Sequence, residues 1–154
     1  MIIIQESRIE DAKEITAIKK KSYEYDAENF KVDWLGPAGY DDVNVTIKQI
    51  NTNKCFTFYN DLEMVGWIEL VKLEKHRYLI NTIVIDPIYD NKGYTAKALK
   101  SLEKLMYTVK TWEVDCTIHS VKNHAFFKKL GYTKEYEFMY KNTLPAVRFT
   151  KTKN

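Results

Sequence analysis

The stretch Ile83 to Ala98, IVIDPIYDNKGYTAKA, decides the fold of this 154-residue chain. Its apolar start belongs to a run from Tyr78 to Ile85 that predicts a buried strand, and Asp86-Pro87 ends it because proline cannot donate to a sheet. A polar loop follows, and apolar residues at helical spacing predict a helix from about Thr95 to Val109. Since Trp112 to Ile118 is a further apolar run, the whole segment predicts a β-α-β crossover.

Further strands and helices flank this crossover in the sequence. Ser7 and Glu10 match an S-x-x-E capping box, which predicts the start of a first helix. Asn60-Asp61 separates two apolar runs and predicts a hairpin. Hairpins around a crossover predict an α/β (α+β) fold, with a mixed sheet and helices on both faces. The remaining predicted elements are Ile2–Ile4, Ile9–Ile18, Val43–Ile50, Cys55–Tyr59, Met64–Leu73, Asn123–Leu130, Tyr136–Tyr140 and a last strand near Ala146–Phe149.

The composition is that of an ordinary globular protein. Hydrophobic residues make up 45% of the chain and charged residues 29%, with 5 Gly and 3 Pro, which excludes a disordered or collagen-like chain. No linker or repeat divides the sequence, so we predict a single domain over residues 1–154. Twenty-four basic and 21 acidic residues give a net charge of +3. Because the two signs are interspersed, we predict no nucleic-acid partner, with weak association through scattered lysines as a minor alternative.

Cysteine usage and hydropathy bear on the cellular compartment. Cys55 and Cys116 lie inside apolar runs without paired spacing, which is typical of reduced, buried thiols. The apolar start Ile2 to Ile4 is far shorter than a signal-peptide core, and no window approaches the roughly 20 apolar residues of a membrane span. We therefore predict a cytoplasmic protein with no membrane partner.

The loop before the crossover helix has the features of an anion site. Gly93 stands at the start of the helix, where free N–H groups of the first turn point outward and the helix dipole is positive. Lys92, Lys97 and Lys100 add positive charge near the same end. A diphosphate would suit this chemistry. The alternative is simple loop geometry, since one glycine before a helix has low specificity.

Three motifs add a second kind of information. They are GPAGYD (Gly36 to Asp41), IDPIYDNKGYT (Ile85 to Thr95) and NHAFFKKLGY (Asn123 to Tyr132). Together they resemble a bacterial branch of the GNAT N-acetyltransferase superfamily, and the resemblance covers nearly the whole chain in element order. It implies a mixed, mostly antiparallel sheet whose central parallel pair of strands splays apart.

The resemblance implies that acetyl-CoA, as acetyl donor, binds between the splayed strands Tyr78–Ile85 and Trp112–Ile118. The loop and first helical turn would take the pyrophosphate, one strand edge would take the pantetheine arm, and the short helix after the crossover would line the far wall. In that order, the implied cofactor-binding residues are Lys92, Gly93, Tyr94, Thr95, Ala96 and Lys97, then Val84 and Ile85, then Asn123, Phe126 and Phe127.

The resemblance also implies the reaction, which is direct attack of a primary amine on the thioester. The acceptor would be a small-molecule or peptide amine. The oligomeric state stays open, and a homodimer is one alternative. An oriented carbonyl and an N–H donor for the oxyanion would supply much of the rate enhancement. Trp34 and Tyr40 fall in the loop region on the acceptor side, where they either shape the pocket or anchor the loop.

Four positions depart from the family pattern. Asp90 replaces Gln or Arg near the diphosphate, and Thr95 replaces a small residue. Leu79 falls where related proteins carry a glutamate base, and Phe127 falls where a tyrosine usually protonates the leaving thiolate. We therefore leave the catalytic residues unassigned. The alternative function is a catalytically degenerate acyl-CoA-binding or interaction module on the same fold.

Two features outside these motifs have competing interpretations. Glu69, in the strand before the crossover, is a candidate substitute base, and the alternative is an ordinary exposed strand residue. Lys19 to Lys21 are interpreted as a solvated helix end, with an anion patch as the alternative.

Cys116, His119 and His124 are candidate metal or thiol-catalytic residues. Their spacing crosses a strand end and a loop, and a zinc site needs four convergent ligands. We therefore predict no metal.

Overall fold

The computed structural model of the protein describes residues 1–29 and 36–153. In this part of the chain the strands and helices follow the predicted order. The strands are β1 (Ile2–Glu6), β2 (Lys54–Asn60), β3 (Glu63–Glu74), β4 (Arg77–Ile85), β5 (Thr111–Thr117), β6 (Thr133–Tyr140) and β7 (Leu144–Thr152). The helices are α1 (Ala12–Asn29), α2 (Val43–Thr52), α3 (Tyr94–Leu105) and α4 (Val121–Lys129), with 3-10 turns at Ile9–Asp11 and Pro87–Tyr89.

These strands are hydrogen-bonded in the order β1-β2-β3-β4-β5-β7-β6. β4 and β5 run parallel, with Arg77 opposite Thr111 and Ile80 opposite Val114. The pairs β1–β2, β2–β3, β5–β7 and β6–β7 are antiparallel. The prediction of a mixed, mostly antiparallel sheet around one β-α-β crossover is confirmed, and β7 contains the predicted last strand.

The chain forms two compact units, to both of which β3 and β4 contribute residues. The first unit comprises Met1–Leu70 and Thr82–Leu105. Its strands and α1 pack through a buried cluster that consists of Ile15, Ile18, Cys55, Trp67 and Val84. Tyr23, Ile50 and Met64 cover this cluster as partly buried residues, so α1 and α2 are both fixed against the strands.

The second unit comprises Val71–Asn81 and Met106–Asn154. Side chains of a strand alternate between its two faces, and here the apolar set is buried. That set includes Trp112, Val114, Cys116, Val147 and Phe149. Charged positions alternate with it: Arg148 on β7 donates to Glu113 Oε1 at 2.9 Å and to both carboxylate oxygens of Asp115. An ion-pair cluster thus occupies the face opposite the apolar one.

The two ends of α1 differ from the prediction. Ser7 does not cap a helix, because its hydroxyl shares a hydrogen bond with Thr57 Oγ1 at 2.8 Å and accepts one from Trp67 Nε1 at 3.0 Å. A 3-10 turn therefore precedes α1. The helix continues to Asn29, so the lysine run at Lys19–Lys21 lies inside it and is not its end.

Candidate functional site

The loop that joins β4 to α3 begins at a fixed aspartate. Asp86 is buried, and its backbone N–H donates to Val65 O at 2.8 Å. Its Oδ1 accepts from Ile88 N at 3.2 Å and caps the 3-10 turn that Pro87 starts. Lys21 Nζ lies 3.6 Å from Asp86 Oδ2. Lys21 of α1 thus contacts the Asp86 carboxylate, and Val65 of β3 binds the Asp86 backbone. These two contacts fix the point where the chain leaves β4.

A pair of tyrosines supports the same loop. Tyr89 OH donates a short hydrogen bond to Glu63 Oε2. Mainly because of this hydrogen bond, the pKa of Tyr89 is raised to about 12. The Tyr89 and Tyr94 rings lie 5.9 Å apart, and Tyr94 OH accepts from Asn60 Nδ2 at 3.3 Å. The ends of β2 and β3 therefore hold the loop and the first residue of α3.

Gly93 is the last residue before α3 and has a left-handed backbone conformation. Its φ is +77°, and a Cβ at this position would meet no atom within 4 Å. Lys97 N donates to Gly93 O at 3.2 Å, so the N–H groups of the residues between them belong to the first helical turn, which lacks intrahelical acceptors. An anion in front of this turn would meet N–H donors and the positive end of the helix dipole.

The predicted phosphate-binding residues lie directly before α3 or in its first turn. Lys92 and Lys97 are exposed, whereas Tyr94, Thr95 and Ala96 are half-buried in the first turn of α3. Asp90, the carboxylate that departs from the family pattern, accepts from Asn91 N at 3.0 Å through Oδ1. One of its oxygens is therefore engaged by the loop backbone, which lowers the electrostatic cost of a nearby phosphate.

Val84 and Ile85, the predicted pantetheine-binding residues, form the end of β4. Val84 is buried and Ile85 is half-buried. β3 approaches this segment at Gly66, where a Cβ would lie 2.4 Å from Val84 O and 2.2 Å from Phe58 Cζ. Only a glycine fits at this position, so Gly66 fixes how closely the backbones of β3 and β4 approach.

Glu69 is buried, which shows that its interpretation as an exposed strand residue was wrong. Only 1% of Glu69 is exposed. Its Oε1 accepts from Gln49 Nε2 at 2.9 Å and from Thr82 Oγ1 at 2.8 Å, and its Oε2 accepts from Asn53 Nδ2 at 2.7 Å. Three side-chain donors thus contact this buried carboxylate, and a buried polar group requires such partners.

Lys19 is the cation of the same buried network. It is 1% exposed, and its Nζ donates to Gln49 Oε1 at 2.7 Å and to Thr46 Oγ1 at 3.2 Å. The ammonium also lies 5.2 Å from the centroid of the Trp67 ring. Burial lowers the pKa of Lys19 despite the nearby carboxylate of Glu69. The network joins α1, α2, β3 and β4.

Sequence reasoning missed this network, although one signal for Lys19 was available. Lys19 stands four residues after Ile15, a spacing that places both on one face of a helix. The surrounding lysines suggested a solvated helix end, and that interpretation was wrong for Lys19. Nothing comparable marked Gln49 or Asn53 as partners of a carboxylate in a distant strand.

The other predicted cofactor residues belong to the second unit. Asn123 is exposed in α4, and Phe126 is half-buried. Phe127 is 3% exposed and packs edge-on against the rings of Phe126 and Tyr132, with centroids 5.1 and 5.3 Å away. Leu79 is half-buried in β4. Val84, Ile85 and the loop residues lie in the first unit, so the predicted set is divided between the two units.

The remaining candidates have structural roles or lie outside the described residues. His124 Nε2 is hydrogen-bonded to Thr117 O at 2.9 Å, and Cys116 is a buried thiol whose pKa burial raises to about 12. In residues 1–29 and 36–153, no three His, Cys, Asp or Glu side chains are grouped to hold a metal ion. Tyr40 OH donates to Glu24 Oε2 at 3.2 Å and anchors its loop, whereas Trp34 lies outside the described residues.

No helix within residues 1–29 and 36–153 is long and apolar enough to cross a membrane.

The model of the acetyltransferase (GNAT) family matches residues 19–132, which is most of the chain and includes the whole loop between β4 and α3. No curated protein sequence matches the chain.

Solved structures with the same fold include three N-acetyltransferases. PaiA N-acetyltransferase from Thermoplasma acidophilum in complex with coenzyme A has a TM-score of 0.80 at 17% identity, covering 99% of each chain. The ribosomal-protein-S18-alanine N-acetyltransferase from Escherichia coli has a TM-score of 0.75 at 12% identity, covering 99% of this chain and 94% of the other. A chimaeric spermidine N-acetyltransferase from Vibrio cholerae has a TM-score of 0.77 at 12% identity, covering 98% and 95%.

Proposed function

Because the chain belongs to the acetyltransferase (GNAT) family, we propose that it transfers an acetyl group from acetyl-CoA to a primary amine by direct attack. The observation that carries this proposal is the start of α3, where Gly93 has a φ of +77° and no atom lies within 4 Å of the position of a Cβ. Such a turn suits a diphosphate, which is the anionic group of coenzyme A. The relative from Thermoplasma acidophilum binds coenzyme A on the same fold.

Each residue of the loop would have a defined task. The backbone N–H groups from Lys92 to Ala96 would donate to the diphosphate, and the Lys92 and Lys97 ammonium groups would offset its charge. Val84 and Ile85 would present backbone groups to the pantetheine arm as a strand edge does. Asn123, Phe126 and Phe127 remain predicted cofactor contacts. The tyrosines that support the loop would hold these donors in place before the cofactor arrives.

Acetyl-CoA supplies the activated carbonyl when it is bound. The amine nitrogen forms the new bond to the carbonyl carbon, the bond from carbon to sulfur breaks, and the amine proton goes to solvent. The leaving thiolate is comparable to that of a cysteine, with a pKa near 8.5, so water can protonate it without a buried acid such as a tyrosine at Phe127. Orientation of the reactants and an N–H donor for the oxyanion would then supply much of the rate enhancement.

Glu69 has no role as base in this proposal. Its carboxylate already accepts three hydrogen bonds from protein side chains, so its oxygens are engaged within the fold. We assign it a positioning role, because Thr82, one of its donors, lies two residues before Val84 on β4.

The relatives support a choice of acceptor class. One relative is named for spermidine and another for the alanine of a ribosomal protein, so the fold accommodates both polyamine and peptide amines. We propose a primary amine of a small molecule or peptide as acceptor, and the cytoplasm as the site of action.

A specific observation favours a second candidate function, an acyl-CoA-binding module without turnover. Leu79 and Phe127 cannot exchange protons, and the Glu69 carboxylate already accepts three hydrogen bonds, so none of these three positions supplies a proton-transfer group. The two functions differ in one measurable respect, which is release of free coenzyme A when an amine is present.

The test combines binding and turnover. Calorimetry with acetyl-CoA should show stoichiometric binding, and the double variant Lys92→Ala/Lys97→Ala should weaken it about tenfold. Lys13→Ala/Lys20→Ala, exposed on α1, is the matched control and should leave the dissociation constant unchanged. Thiol release with a panel of polyamines and peptide amines then separates the candidates. Absence of binding at millimolar acetyl-CoA overturns both, and binding without thiol release favours the module.

A further inference from the structure

The charges of the chain divide unequally between its two units. The second unit contains twelve Lys and Arg against five Asp and Glu, whereas the first contains twelve against sixteen. The net charge of +3 therefore conceals about +7 on the second unit and about −4 on the first. Basic and acidic residues are interspersed along the sequence, but the two units of the structure carry net charges of opposite sign.

The excess of positive charge in the second unit rests on lysines. Arg148 pairs with Glu113 and Asp115, and Arg77 pairs with Glu113 and Glu74. In these ion pairs, three of the five acidic residues balance the charges of the two arginines. The other charged residues of this unit are ten lysines, Glu135 and Glu137, and Lys134 Nζ lies 2.6 Å from Glu137 Oε2.

Backbone contacts gather several of these lysines where β5 begins and β7 ends. Lys153 N donates to Lys110 O at 2.8 Å, and Lys110 N donates to His76 O at 2.8 Å. Lys151 is the register partner of Trp112, the second residue of β5. The end of the unit that contains these contacts is here called the basic end.

The C-terminal end of α4 reaches the same place. A Cβ on Gly131 would lie 3.9 Å from Lys151 Nζ, and Gly131 N donates to Lys128 O at 3.0 Å. Lys129 is the next residue of α4, and Lys75 directly precedes His76. The lysines of the basic end are Lys75, Lys110, Lys128, Lys129, Lys151 and Lys153, and the first four of these are exposed.

An exposed aromatic ring accompanies the lysines. Tyr107 is 79% exposed in the turn before β5. The next residue, Thr108, has its carbonyl hydrogen-bonded to His76 Nδ1 at 2.9 Å, which places this turn beside the Lys110 strand start. Because most of this ring is exposed, it is available to stack on a ligand that has a flat apolar face.

We propose that the basic end binds single-stranded nucleic acid, with lysines along the phosphodiester backbone and Tyr107 stacked on a base. Lysine ammonium groups recognise phosphate as point charges without reading base edges. Exposed aromatic rings supply the sequence-tolerant stacking that single strands use. An acidic peptide would satisfy the lysines but would make no use of the tyrosine ring, so the observations favour a nucleic acid.

The first experiment measures the salt dependence of binding. Fluorescence anisotropy of a labelled 20-nucleotide oligouridine is recorded against the full chain between 50 and 200 mM salt. For a single strand the slope of log K against log salt is about −0.7 per neutralised phosphate, so the four exposed lysines of the basic end predict a slope of about −3. The triple variant Lys110→Glu/Lys128→Glu/Lys129→Glu should remove most of this slope and weaken binding at least tenfold.

The control matches this variant in net charge. Lys13→Glu/Lys20→Glu/Lys48→Glu changes three exposed lysines of the first unit by the same amount and should bind nearly as the unaltered chain does. Tyr107→Ala should weaken binding about fivefold or more without changing the salt slope, and Tyr107→Phe should restore it. Circular dichroism checks the fold of each variant, and Lys→Gln substitutions at the same three positions replace any charge reversal that unfolds.

Several outcomes overturn the proposal. One is no anisotropy change at 50 mM salt with 100 μM protein, as an order-of-magnitude limit for non-specific binding. Another is equal loss in the control variant, which would indicate an effect of net charge alone. A third is stronger binding to polyglutamate than to oligouridine, which would assign the surface to an acidic peptide. None of these measurements involves acetyl-CoA, so they leave the proposed acetyl transfer untouched.

Discussion

Gln49 donates its amide to Glu69 Oε1 at 2.9 Å, although twenty residues separate them in the chain. The carbonyl oxygen of the same amide accepts from Lys19 Nζ at 2.7 Å, so one neutral side chain connects a buried cation to a buried anion. The link crosses from α2 to both α1 and β3. It determines how the two helices sit on the strand that precedes β4.

Removing one charge of this network should be costly. Lys19→Met leaves the Glu69 carboxylate buried without its cation, and such loss of one partner typically costs about 3–5 kcal/mol. Glu69→Gln should cost a similar amount, and the double variant should lose clearly less than the sum of the two. Urea unfolding of the four proteins measures the coupling. Lys20→Met, on the exposed side of α1, is the control and should change the free energy of unfolding by less than about 0.5 kcal/mol.

The pH dependence of stability should carry the signature of Lys19. Burial lowers its pKa in the folded chain below the ordinary value of 10.5, so the unfolded chain binds more protons between those two values. The contribution of Lys19 to stability therefore rises as pH increases through that window. Comparison of the unaltered chain with Lys19→Met at pH 7, 8, 9 and 10 cancels the other titrating groups. A difference that shrinks with rising pH would contradict the prediction.

The hydrogen bond from Tyr89 to Glu63 should matter for cofactor affinity and not for the chemical step. Tyr89→Phe removes the bond and loosens the loop before α3, so KM for acetyl-CoA should rise about three- to tenfold with little change in kcat. A net hydrogen-bond contribution of about 0.5–1.5 kcal/mol gives this range. Tyr107→Phe, at an exposed tyrosine far along the chain, is the control. A fall in kcat with constant KM would show that Tyr89 acts in catalysis.

Gly66→Ala should disturb β4 through a steric clash. The new methyl group would lie 2.2 Å from Phe58 Cζ and 2.4 Å from Val84 O, so one of them has to move. We expect a loss of about 1–3 kcal/mol in the free energy of unfolding and weaker binding of acetyl-CoA. Adding Phe58→Leu relieves the first contact only. If this second change restores both stability and binding, the carbonyl of Val84 is not the critical obstacle.

Phe127→Tyr tests whether a missing acid limits turnover. Phe127 is 3% exposed between two aromatic rings, so a hydroxyl there enters a packed environment and should lower thermal stability by a few degrees. We expect kcat to stay within about threefold, because water can protonate the thiolate. An increase in kcat of tenfold or more would instead show that the lack of an acid at this position limits turnover.

Local patterns predicted the elements of this fold but not the contacts between distant ones. The run before Pro87 and the glycine before α3 are local signals, and both produced the predicted strand, loop and helix. Ser7 matched a capping box, yet its hydroxyl pairs with Thr57, fifty residues away. Glu69 likewise acquires its partners from α2 and β4, so neither periodicity nor charge runs could indicate that it is buried.

The buried cysteines have a practical consequence for enzymology. Cys55 and Cys116 are both buried, and burial raises the pKa of each thiol to about 12, so neither forms an appreciable thiolate near neutral pH. Thiol reagents react with the thiolate. A chromogenic disulfide added to the native protein should therefore report newly formed coenzyme A on an almost blank background. Continuous progress curves become feasible at micromolar protein, without removing or blocking either cysteine.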